Sequence, residues 1–171
     1  GEGRKIVFGG AAGDEIEAGG DSSSDIIVGD EGYTKFSTIN GALTRVATYT
    51  PEAGARDIIT AGDAMNVLVG GSGGDDITGG AVVDVIVGDN GYAEFDVSTG
   101  TSILTHIQTT DPLYGGDDDI NSGNGPDVVL GGSNAAEDSI PGDVINAGTD
   151  TSRDVVMGDN GRIDFDTSGR L

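Results

Sequence analysis

From Ala61 the chain can be cut every nine residues without a break, as AGDAMNVLV, GGSGGDDIT, GGAVVDVIV and GDNGYAEFD. The eighth position is large and apolar each time: Leu68, Ile77, Ile86, Phe95. The sixth is Asn66, Asp75, Asp84, Ala93, and the first two are glycine or another small residue except at Asp89. The frame continues upstream as GGAAGDEIE (9–17), AGGDSSSDIIV (18–28), GDEGYTKFS (29–37) and AGARDIIT (53–60). Downstream it runs through GGDDDIN (115–121), SGNGPDVVL (122–130), GGSNAAEDSIPGDVIN (131–146), AGTDTSRDVVM (147–157) and GDNGRIDFD (158–166). Insertions fall in the first half of a unit and spare its last residues, where stacked repeats tolerate extra length.

Each unit reads as a six-residue turn followed by a three-residue strand. Side chains alternate along a strand, so position eight points inward and positions seven and nine point outward. Ile16, Ile27, Ile59, Leu68, Ile77, Ile86, Ile120, Val129, Ile145 and Val156 then form a narrow aliphatic core, and their β-branching suits a sheet. The pattern predicts an all-β chain, one continuous segment over 1–171. GD-x-G units at 29–32, 88–91 and 158–161, starting 59 and 70 residues apart, mark three partial superrepeats.

The outward positions divide into two sets. They are apolar in Ile6/Phe8, Ile26/Val28, Val67/Val69, Val85/Val87, Val128/Leu130 and Val155/Met157. They are mostly polar in Glu15/Glu17, Lys35/Ser37, Asp76/Thr78, Glu94/Asp96, Asp119/Asn121 and Asp164/Asp166. Two inserts, 38–50 and 97–110, follow Phe-containing strands and turn at Asn40-Gly41 and Thr99-Gly100. Taken alone, each is most simply a β-hairpin. The apolar set favours a different count, in which each insert adds one half-turn to the stack. That count keeps the apolar set on one sheet, turns Val46 and Ile107 inward and leaves an exposed aliphatic face. Such a face suggests packing against another copy or another part of the parent chain.

The repeat, with GGSGGDDIT as its full match, resembles the RTX, or hemolysin-type, calcium-binding nonapeptide G-G-x-G-x-D-x-U-x. The resemblance implies a right-handed parallel β-roll, a β-solenoid with longer inserted strands or hairpins, and several Ca²⁺ ions held between turns. It assigns the sixth-position carboxylates of Asp14, Asp25, Asp57, Asp75, Asp84, Asp118, Asp127, Asp143 and Asp154 to the metal. Carboxylates and turn carbonyls are hard oxygen ligands suited to Ca²⁺. The alternative for each is an aspartate bonded to its own turn backbone. Asp30, Asp89 and Asp159, second in the GD-x-G units, are candidates either for calcium from another direction or for capping the turn. Lys5, Thr34, Asn66, Ala93 and Ile163 hold the sixth position without a carboxylate, and Lys5 could replace an ion with its own charge.

Composition agrees with a thin core. Hydrophobic residues are 35% of the chain and glycine is 32 of 171 residues, against roughly 45–50% apolar in ordinary domains. Aspartate outnumbers glutamate 23 to 7. The net charge of −22 argues against nucleic acid and anionic lipid as partners. It would take about eleven divalent cations to cancel it, so folding and calcium binding are expected to be one event. Cysteine is absent, no apolar run is long enough to span a membrane, and no signal peptide is visible. The chain begins at Gly1 without Met, which suggests a fragment of something longer.

The expectation is a structural, calcium-stabilised segment of a large secreted or cell-surface protein, such as an adhesin stalk, surface-layer component or fibre subunit. Calcium at extracellular levels would rigidify it. The alternative is an RTX-like accessory domain of a secreted enzyme such as a protease or lipase. The segment itself is not expected to be an enzyme or to bind a small-molecule substrate. It has one histidine, His106, read as a solvated strand residue, and no nucleophile–base pair at a recognisable spacing.

Overall fold

Strands that are apolar at all three positions and strands that are apolar only in the middle have different destinations. A computed structural model of the chain, describing residues 3–20, 22–134 and 142–171, puts them in different sheets. The first sheet is parallel, in the order β1 (Ile6–Phe8), β3 (Ile26–Val28), β7 (Asn66–Gly71), β9 (Asp84–Asp89), β13 (Val128–Gly132), β15 (Val155–Asp159). The second is also parallel: β2 (Glu15–Glu17), β6 (Ile58–Thr60), β8 (Asp76–Gly80), β12 (Asp119–Gly123), β14 (Val144–Asn146). The chain passes back and forth between them, so each strand pairs with one a full circuit away in sequence. The insertion expected within 131–146 falls on 135–141, outside the described residues.

Register follows the nonamer frame. Ile16, Ile59, Ile77, Ile120 and Ile145 stand opposite one another along the second sheet. Val7, Ile27, Leu68, Ile86, Val129 and Val156 do the same along the first. The two rows meet in one core, in which Ile27, Ile59, Leu68, Ile86, Ile120 and Val129 are fully buried. The end of the stack departs from expectation. Ile145 is only partly buried and Val156 is 46% exposed, because β15 is the last strand of its sheet.

The inserts do not add half-turns to the stack. Each GD-x-G strand and the insert after it form an antiparallel hairpin, β4 (Gly32–Phe36) with β5 (Leu43–Thr48) and β10 (Gly91–Asp96) with β11 (Ile103–Thr109). The hairpins pair with each other and with β16 (Arg162–Asp164) in a third sheet, ordered β16-β11-β10-β5-β4. Thr34, Val46, Ala93, Ile107 and Ile163 lie in one cross-strand row of that sheet. Val46, Ala93, Ile107 and Ile163 pack with Ile26, Val28, Val67, Val69, Val85, Val87, Val128 and Leu130 in a second core.

The aliphatic face expected to be exposed is therefore covered by the chain's own hairpins. The first sheet is a middle layer, and strands buried on both faces are apolar throughout, as in IIV, VLV and VIV. The second sheet has one solvated face and alternates, as in EIE and DIN. Gly32 and Gly91 let the hairpins approach: a Cβ there would lie 2.9 Å from Val28 Cγ1 and Val87 Cγ1, respectively.

The layering has a mechanical consequence. Ile107→Ala removes a fully buried side chain between the first and third sheets and should cost ~2–5 kcal/mol in denaturant unfolding followed in calcium. Val82→Ala, on a partly exposed turn, should stay within ~0.5 kcal/mol. Equal small costs at the two positions would contradict the third sheet's role.

Candidate cation sites at the turns

Two rows of sixth-position residues run across the strands. In turns leading from the first sheet to the second, each carboxylate accepts a backbone N–H from the preceding turn of its row. Asp14 N–H donates to Asp57 Oδ1 (2.7 Å), Asp57 N–H to Asp75 Oδ1 (2.7 Å), Asp75 N–H to Asp118 Oδ1 (2.7 Å) and Asp118 N–H to Asp143 Oδ1 (3.0 Å). The opposite turns carry the same ladder through Lys5, Asp25, Asn66, Asp84, Asp127 and Asp154, at 2.7–3.1 Å. One oxygen of each carboxylate thus has a structural use, which alone would favour aspartate or asparagine in register.

The second oxygen of Asp84 accepts the Gly80 N–H at 2.7 Å, but in six other aspartates it has no such use. Oδ2 of Asp25, Asp57, Asp75, Asp118, Asp127 and Asp143 is buried without a hydrogen-bond partner. Buried polar groups are almost always paired, and a buried charge without a partner is far more costly than a missing neutral hydrogen bond. In the first row the orphan oxygens lie beside backbone carbonyls. A Cβ on Gly29 would strike both Asp57 Oδ2 and the Gly70 carbonyl oxygen. Gly70 stands in the same relation to Asp75 Oδ2 and Gly88 O, Gly88 to Asp118 Oδ2 and Gly131 O, and Gly131 to Asp143 Oδ2 and Gly158 O. Glycine is needed there because any side chain would fill the space the oxygens share.

The electrostatics point the same way. Burial first, then neighbouring carboxylates, pushes Asp75 up to about 9 and Asp118 up to about 10. Burial raises Asp57 to about 6 and Asp84 to about 7, and it also raises Asp127 and Asp143. A carboxyl raised as far as Asp75 or Asp118 takes up a proton at neutral pH unless a cation supplies the positive charge. The oxygens present, carboxylate plus carbonyl, fit a hard divalent cation such as Ca²⁺. Among the described residues no three His, Cys, Asp or Glu side chains gather as a metal cluster. A cation here would be held by isolated carboxylates and backbone carbonyls.

Of the remaining candidates, Asp14 and Asp154 are half-buried. Asp30 and Asp89 are buried, but both oxygens of each accept backbone N–H groups: Ala55 (3.2 Å) and Ser72 (2.5 Å) for Asp30, Gly116 (2.9 Å) and Ser133 for Asp89. This geometry is the capping alternative, tying each hairpin's start to the following turns. Asp159 is exposed and accepts Asn134 Nδ2–H at 3.1 Å.

His106 is not solvated. It is 8% exposed, stacks on Tyr92 and places Nδ1 2.6 Å from Asp164 Oδ1. The Arg45 guanidinium also packs on Tyr92, 3.8 Å from the ring centroid. Sequence reasoning missed the carbonyl partners of the orphan oxygens. Their signal was present as Gly9, Gly29, Gly70, Gly88, Gly131 and Gly158 opening every unit after a first-sheet strand, where the other row has Ala18, Ala61, Gly79, Ser122 and Ala147.

Comparisons with family models, with curated proteins and with solved structures find no match to this chain. Among the described residues no helix is long and apolar enough to cross a membrane.

These buried carboxyls make a sign-specific prediction for the metal-free chain. Asp57, Asp84, Asp75 and Asp118, with pKa values of about 6, 7, 9 and 10, bind protons more tightly folded than unfolded. Stability in chelator is then greatest in acid and falls as pH rises through about 4 to 10. In chelator, strand content by far-UV circular dichroism should fall between pH ~5 and ~9, and strand content that rises over that interval would contradict the assignment.

Proposed function

We propose that this chain is a calcium-binding structural segment of a secreted or cell-surface protein, its two parallel sheets forming a β-roll of the RTX type. The observation that carries the reading is the row of buried Oδ2 atoms on Asp57, Asp75, Asp118 and Asp143, repeated turn after turn without a protein donor. Gly70, Gly88, Gly131 and Gly158 carbonyls would share these ions with the carboxylates.

Bound calcium supplies positive charge between successive turns, where the chain, at −22, otherwise repels itself. Binding requires the carboxyls to give up their protons, so calcium uptake, proton release and folding are coupled. Extracellular calcium, at the level that fills weak sites of ~10⁻⁴–10⁻³ M, would load the segment, while cytosolic calcium would leave it empty. The chain would then be unfolded before export and rigid afterwards. The reading does not include lateral assembly through the first sheet's outer face, because the third sheet occupies it.

Far-UV circular dichroism with calcium added to chelated protein at neutral pH should show strand structure appearing with the metal. In Gly88→Ala, a methyl meets Asp118 Oδ2 and Gly131 O, and the calcium midpoint should rise by at least about tenfold, or ~1.4 kcal/mol. An unchanged strand signal in chelator, with a midpoint insensitive to Gly88, would overturn the proposal.

A further inference from the structure

The two rows of turns are not neutralised in the same way. In the row leading into the first sheet, Asn66 holds a sixth position and is fully buried. Its Oδ1 accepts the Asp25 N–H (3.0 Å), continuing the ladder as an aspartate would. Its Nδ2 lies among three oxygens: Gly62 O at 2.9 Å, Ala64 O at 2.8 Å and Asp84 Oδ1 at 2.9 Å. Two carbonyls of one turn and the carboxylate of the next thus surround the hydrogen-bearing end of an amide dipole. Asp84 needs nothing more, because its Oδ2 accepts the Gly80 N–H at 2.7 Å.

At the start of the same row, Lys5 Nζ lies 3.8 Å from the otherwise unpaired Asp25 Oδ2 and donates to Gly3 O at 2.9 Å. The units here open with Ala18 and Ala61, both buried, where the other row has glycine. The next unit opens with Gly79, where a Cβ would meet Asp84 Oδ2 and Ser122 O, as in the other row. Asp127 Oδ2 and Ser122 Oγ are both buried without a hydrogen bond of good geometry, although the Ser122 hydroxyl lies near enough to hold the Asp127 carboxyl down against its burial.

We propose that the protein's own groups, the Asn66 amide and the Lys5 ammonium, stand in for divalent cations along the first part of this row, so that calcium loads the solenoid asymmetrically, on the Asp14–Asp57–Asp75–Asp118–Asp143 row and at Asp127. This rests on the calcium reading above and refines it: the sixth-position residue decides whether a turn is metal-dependent or self-sealed. An amide there supplies donors to the surrounding carbonyls, and a carboxylate supplies only acceptors. The Asn66 turn therefore has its oxygens satisfied without metal, and its oxygen cage is one charge short of a cation site.

The test is the number of calcium ions bound per chain, by equilibrium dialysis with metal analysis, together with the calcium concentration that gives half-maximal strand content. Asn66→Asp should bind about one more ion than wild type and need more calcium to fold. Asp75→Asn, which can keep the Oδ1 ladder bond to Asp57 N–H and gains an Nδ2 donor, should bind about one fewer and need less calcium to fold. If wild type binds calcium but neither count changes, or if Asn66→Asp fails to fold even in calcium, the surrogate role is wrong and the calcium reading stands. If wild type binds no calcium, the calcium reading itself falls.

Discussion

Everything in this molecule turns on what satisfies a buried carboxylate oxygen. The ladder of Oδ1 atoms gives each circuit of the chain a fixed register, one backbone N–H per carboxylate, and forces the rest of the carboxylate inside. Where no protein donor reaches it, the remaining Oδ2 then needs a proton or a cation. A proton makes the turn neutral and leaves the fold sensitive to pH. A divalent cation keeps both neighbouring turns charged and joins them. The aliphatic core between the two parallel sheets contributes one buried side chain per unit, so the turns matter to stability as much as the oil-like layer does.

The third sheet changes how this thin construction is supported. It turns one parallel sheet into a middle layer and adds a second apolar core, with Leu43, Val46, Phe95 and Ile107 on the hairpin side. The outer face of the third sheet is tied together by side chains, with Arg45 bonded to Tyr33 and Glu94, and His106 set between Tyr92 and Asp164. Asp30 and Asp89 couple the hairpin starts to the turns that carry the orphan oxygens. One face of the stack is thus held mainly by conventional packing, and the turns beside it by charge compensation.

The strand positions, the inward row and the sorting of outward side chains were legible in the sequence because they follow from a strict nine-residue frame and the alternation of a strand. The fate of the inserts was not. An extra half-turn and a hairpin folded over the first sheet both keep Val28, Val69, Val87 and Leu130 on one sheet, and the apolar pattern alone cannot separate them. The deciding residues are Thr34, Ala93 and Ile163. These sixth positions have neither carboxylate nor amide nor charge, and all three lie in strands of the third sheet, whereas Lys5, charged, stays in the stack. The burial of His106 was hidden for a related reason, because its partners Tyr92 and Asp164 come from different superrepeats. The first row was marked by a glycine at every first position, where the other row mixes Ala18, Ala61, Gly79, Ser122 and Ala147, but the meaning of that glycine needed the positions of the carbonyl oxygens.

The most direct test is a calcium-grown crystal and its anomalous difference map. Compensation by metal predicts peaks bounded by Oδ2 of Asp57, Asp75 and Asp118 and the carbonyls of Gly70, Gly88 and Gly131, with none inside the Asn66 cage. Turns without peaks, and those Oδ2 atoms bonded to water or to protein donors, would contradict it.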